Sequence, residues 1–230
     1  MISTNPSPLD GPARGAEDWR ARVMGDPGFP PRLRKTAAGL LVLTAVVWSV
    51  AMSSAMFLPD GHPAREWLHP DWEYTVPAFY SAALLVTAAI AGFLAGRSTL
   101  WYRFLGLGLL GMGIDELFVV HETLEYRLGV DWQLLYLPVV AIGLVVVVLV
   151  HRHMRAESRA AELFMLAGVA CWGVAQLLEL IQWDGDVQRP GYGYMMGIEE
   201  GLEMTGTVAF VLAFLAVLAA RAHSGTRVDA

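Results

Sequence analysis

Six stretches of this chain are apolar over a length that reaches or approaches the roughly 20 residues a helix needs to cross a bilayer. They run from about Ala37 to Leu58, Pro77 to Ala95, Leu100 to Thr123, Gln133 to Val150, Ala160 to Trp183 and Met196 to Ala220. In lipid every backbone N–H and C=O must be satisfied internally, which leaves helices or closed barrels. Barrel strands alternate in polarity over about ten residues, whereas residues 143–150 read GLVVVVLV without a polar break. The expected fold class is therefore all-α: a polytopic integral membrane bundle of six transmembrane helices.

Only 17% of the 230 residues are charged, against about a quarter in soluble domains. The runs take up most of the chain, so no separate soluble domain fits. One membrane domain is expected over residues 36–221. A basic, disordered cytoplasmic tail is expected over 1–35, where six prolines lie among polar residues, and a short cytoplasmic tail over 222–230. The first apolar run is too long for a cleavable signal, so none is expected. Cys171 stands alone in mid-span and reads as a small buried apolar residue.

The connections alternate in charge. Arg32, Arg34 and Lys35 precede the first run, Arg97 and Arg103 separate the second and third, Arg152, Arg155 and Arg159 the fourth and fifth, and Arg221 follows the sixth. Asp60, Glu66, Asp71 and Glu73, then Glu125 and Asp131, then Asp184 and Asp186 occupy the others. Positive loops stay inside, which puts both termini in the cytoplasm and the acidic loops outside. The Arg-rich, Lys-poor composition suits a bacterial inner membrane. Trp67, Trp72, Trp132, Trp183, Tyr192 and Tyr194 then form an aromatic belt at the outer interface. The lipid bilayer is the first partner; a homo-oligomer or a membrane-protein partner remains open, and nothing points to nucleic acid.

Ionisable groups inside a bilayer are costly, and they mark interior or water-lined positions. The third run ends GMGIDELFVVHETLEYR, with Asp115, Glu116, His121, Glu122 and Glu125. The fifth carries Gln176, Glu179 and Gln182, and the sixth opens with Glu199, Glu200 and Glu203. All lie toward the same side. At about 100° per residue, Asp115 and Glu122 share one helix face with Gly108 and Gly111, and Gln176 and Glu179 share one with Gly173. Glu199 and Glu203 lead to Gly206. Small residues admit close helix contact, so these faces are expected to turn inward.

A set of carboxylates with one histidine is suited to a divalent ion (Mn, Fe, Mg, Ca or Zn). The candidate ligands are Asp115, His121, Glu122, Glu179, Glu200 and Glu203, and Asp115, Glu116 and Glu203 are candidate acid–base groups. The sequence HETLE lacks the second histidine of a zinc HExxH motif, and no span holds Glu-x-x-His. The single lysine, Lys35, precedes the first run, which excludes a retinal Schiff base. His62 and His69 read as plain loop histidines. Three functions follow: a metal-binding protein, with a metal-dependent enzyme on a lipid or small substrate as its catalytic form; a proton- or cation-coupled transporter or channel; or a non-catalytic subunit of a membrane complex.

Overall fold

The computed structural model describes residues 23–97, 99–130, 132–184 and 187–225. The protein is all-α, 84% helical. Its helices are α1 (Pro31–Phe57), α2 (Pro63–Leu68), α3 (Val76–Ala95), α4 (Leu100–Phe118), α5 (Val120–Leu128), α6 (Trp132–Glu157), α7 (Arg159–Gln182) and α8 (Tyr192–Gly225). Two-residue strands β1 (Trp183–Asp184) and β2 (Val187–Gln188) pair antiparallel between α7 and α8.

Local chemistry sets the helix starts. Pro31 opens α1, where a missing N–H costs nothing. The Thr75 hydroxyl accepts from Ala78 N at the start of α3, and the Ser158 hydroxyl from Ala161 N at the start of α7. Asp26 adds to the α7 cap: its carboxylate accepts from Arg159 N at 2.7 Å, Ala160 N at 3.2 Å and the Ser158 hydroxyl at 2.9 Å. Of the two expected tails, 1–22 and 226–230 lie outside the described residues. Residues 222–225 continue α8.

Helices α1, α3, α6, α7 and α8 are each long and apolar enough to cross a membrane, and α4 with α5 qualifies as a pair bent by 73°. Several helices long and apolar enough to cross a membrane are thus in place, but the expected continuous third span is broken. Helix α8, 34 residues long, is the axis of the bundle: it packs on α1, α3, α6 and α7 and buries Met204, Val208, Phe214 and Val217. Helix α6 lies at the periphery, with Val139, Ile142, Leu144 and Val145 exposed. Those apolar surfaces suit a bilayer, not water.

Glycines mark the closest helix contacts. A Cβ on Gly168 would stand 2.6 Å from the Phe210 ring, and one on Gly206 3.1 Å from Gly168 O, so α7 and α8 approach backbone to backbone. Gly106 and Gly113 play the same part between α4 and α3, meeting Ala89 O at 3.0 Å and Leu85 Cβ at 3.2 Å. The expected inward faces of Gly108, Gly111 and Gly173 are corrected here: a Cβ on any of them meets nothing within 4 Å. In GLGLLGMG the alternating glycines populate both faces of the helix, and Leu85 and Ala89 select Gly106 and Gly113.

Candidate functional site

The site is organised by the break between α4 and α5. Val119 adopts a left-handed backbone, φ 53° and ψ 46°, a conformation that β-branched residues rarely hold. In a straight helix Asp115 and His121 would lie about 120° apart around the axis. The bend brings them together instead. Asp115 Oδ1 accepts from His121 N at 2.9 Å and Oδ2 pairs with His121 Nδ1 at 3.0 Å. From α6, the Tyr136 hydroxyl donates to Oδ1 at 3.1 Å. The common face expected for Asp115 and Glu122 is therefore not formed, because the helix ends between them; the partner of Asp115 is His121. Trp132 completes the wall, its ring 5.4 Å from that of His121.

On its other side His121 meets carboxylates. Donor atoms of Glu73, His121 and Glu122 all lie within 4.8 Å of one another. Glu73 belongs to the connection between α2 and α3 and directly precedes Tyr74, whose backbone is also left-handed at φ 58°. That connection is anchored: the Tyr192 hydroxyl donates to Asp71 Oδ2 at 2.7 Å, and the Thr75 hydroxyl to Trp72 O at 2.8 Å. Burial, followed by the Glu122 carboxylate, pushes the Glu73 carboxyl above its ordinary value, with His121 opposing. Burial also raises Asp71, against the Tyr192 hydrogen bond. Such crowding favours a proton or a cation on the group.

Two carboxylates and an imidazole are a mixed oxygen and nitrogen donor set. With Nδ1 engaged by Asp115, Nε2 is the nitrogen left to act, the arrangement by which carboxylates orient metal-binding histidines. Glu73 was legible as an acidic loop residue, but nothing local to it pointed to His121.

The remaining expected residues gather one step away. Glu116 on α4 lies within electrostatic reach of Glu73 and His121 on one side and of Glu200 and Glu203 on the other. Helix α7 supplies amide donors: Gln176 Nε2 to Glu203 Oε1 at 3.3 Å, and Gln182 Nε2 to Glu199. Glu179 sits on the same helix within reach of Glu199 and Glu203. The expected set thus falls into two neighbouring groups. His121 and Glu122 join Glu73, with Asp115 behind them; Glu116, Glu200 and Glu203 form the second, with Glu179 at its α7 side. The chain's Glu-x-x-His, Glu66 to His69, lies on α2 and its cap outside the spans, where His69 Nδ1 accepts from Asp71 N at 3.2 Å and the ring stacks on Trp72.

No curated protein and no solved structure matches the chain. The sequence model of one family, described as Domain of unknown function (DUF8692), matches residues 39–218. The chain belongs to that family, and the matched region takes in the break at Val119 and every acid of the two groups, Glu73 included.

Proposed function

We propose that this member of the DUF8692 family binds a divalent metal ion at one end of a six-span membrane bundle and uses it on a lipid or small substrate at the membrane boundary. The observation that carries this reading is the group of donor atoms from Glu73, His121 and Glu122 within 4.8 Å of one another, backed by Asp115 on the histidine. In this reading the site end is periplasmic and both termini are cytoplasmic, in a bacterial inner membrane, as the loop charges require. The membrane domain spans residues 36–221.

Glu73 and Glu122 supply negative charge, and Asp115 holds the Nδ1 proton of His121 so that Nε2 presents its lone pair. One nitrogen with carboxylate oxygens suits Mn²⁺, Fe²⁺ or Zn²⁺ better than an all-oxygen calcium site. When bound, the ion supplies Lewis acidity. Glu116, next to the donor group, is the residue positioned to take a proton from a substrate or water, with Glu200 and Glu203 behind it. Purification followed by elemental analysis tests the reading. We expect one equivalent of metal in the wild type and its loss in Glu73→Gln and His121→Ala. A metal-free wild type that takes up no added Zn²⁺ or Mn²⁺ would overturn it.

The second group favours one other reading. Glu116 on α4, followed by Glu200 and Glu203 on α8, leads from the donor group towards the bundle, as a proton- or cation-coupled carrier would need. Gradient-driven flux in proteoliposomes, abolished by Glu203→Gln, would select that reading.

A further inference from the structure

Among the described residues, the two non-glycine positions with a left-handed backbone are Tyr74 and Val119. Tyr74 follows Glu73, and Val119 stands two residues before His121. Strained backbone persists where surrounding interactions hold it, and it concentrates at clamps and switch regions. Here it underlies both sides of one donor group.

The two sides are mounted differently. Glu73 sits on a connection tied to α8 through Tyr192 and Asp71 and braced at the foot of α1 by Arg65, whose guanidinium donates to the O of Leu58, the residue that caps α1, at 3.1 Å. His121 and Glu122 sit on α5, which buries none of its nine residues. That helix is bracketed by two left-handed residues, Val119 at φ 53° and Gly129 at φ 64°. Among the described residues, its side-chain hydrogen bonds are made with its chain neighbours: His121 with Asp115 on α4, the Thr123 hydroxyl donating to Val119 O at 2.9 Å, and the Glu125 carboxylate accepting from Trp132 N on α6 at 3.4 Å. The donor group with Glu73 is what links it to a segment remote in sequence.

We infer that α5 is a latch closed by the metal: an ion shared by Glu73, His121 and Glu122 draws α5 against the anchored 58–75 connection, and its removal lets α5 swing about Val119 and Gly129. The inference rests on the metal-binding reading above. It adds that occupancy sets the angle between α4 and α5, and with it access to Glu116.

The test uses the full chain in nanodiscs in a Cys171→Ser background. Spin labels are attached through Trp67→Cys on α2 and Tyr126→Cys on α5, positions 62% and 90% exposed. Distances are measured by pulsed electron resonance after EDTA treatment and after adding diamagnetic Zn²⁺, with Zn²⁺ binding followed by calorimetry on the same sample. We expect a broad distribution without metal and one narrow peak with it, and no narrowing in His121→Ala. Stoichiometric Zn²⁺ binding with an unchanged distribution would overturn the latch and leave the metal reading standing. Absence of Zn²⁺ binding would overturn both. Val119→Gly gives a second readout that does not depend on losing a ligand. Glycine accepts the left-handed conformation without steric cost, so Zn²⁺ should bind roughly fivefold more tightly or better; equal or weaker binding would count against the latch.

Discussion

Arg221 grips Glu157 with both arms, Nε to Oε2 at 2.5 Å and Nη2 to Oε1 at 2.8 Å, at the end of the bundle opposite the carboxylate–histidine group. The Tyr102 hydroxyl donates to the same Oε1 at 2.9 Å, and Arg221 Nη1 reaches Ala95 O at 2.6 Å. One ion pair thereby joins α3, α4, α6 and α8. Its side chains are about a quarter exposed, so its worth lies between that of a surface pair and a buried one. Arg221→Met should lower stability by about 1–2 kcal/mol, and the double variant with Glu157→Gln should recover part of the loss. Unfolding of both variants in detergent micelles measures this.

In the metal-binding reading proposed above, Asp115 acts on the ion through His121. Asp115→Asn keeps the size of the side chain but removes the charge that holds the imidazole. We expect Zn²⁺ affinity to fall by about 10- to 100-fold, with secondary structure unchanged. A calorimetric titration giving wild-type affinity would exclude an orienting role.

The raised Glu73 carboxyl has a signed consequence for the metal-free protein. Its value is ordinarily 4.5 and is higher in the folded state, because of burial first and Glu122 second. The folded state therefore holds more protons than the unfolded one in the window from 4.5 up to the raised value. Stability falls as pH rises through that window. Melting temperatures of EDTA-treated protein should decline across it, and Glu73→Gln should flatten the decline. Bound metal should reverse the trend, since protons compete with the ion for Glu73.

The two classes of glycine should respond oppositely to a methyl group. Gly168→Ala drives a Cβ to 2.6 Å from the Phe210 ring and should cost about 1–3 kcal/mol. Gly108→Ala enters open space and should be neutral or stabilising, because alanine is the better helix former. Thermal unfolding of the two variants side by side decides the matter; equal losses would mean that α4 presents its other face.

The sequence carried the helices and failed at the break. Runs such as residues 143–150 can be little else in a chain this apolar, and Thr75 and Ser158 announce their helices by ordinary capping. Val119 announces nothing. It is neither proline nor glycine, and a β-branched residue is among the last expected to turn left-handed. The partnership of Asp115 with His121 followed from that turn and was hidden with it. Glu73 was hidden for a different reason: its approach to His121 depends on the packing of a connection anchored by Tyr192, more than a hundred residues further along the chain.

The place of α8 at the axis of the bundle has a bearing on biogenesis. It is synthesised after α1, α3, α6 and α7, yet it is the surface on which they assemble. Until it is inserted, Gly168 and the Trp48 indole, whose Nε1 donates to Gly197 O at 2.6 Å, have no mate. Apart from α3 and α4, which pack on each other through Gly106 and Gly113, the earlier helices must wait without their main contact surface, exposed to proteolytic quality control, and a premature stop anywhere before α8 leaves spans without a bundle.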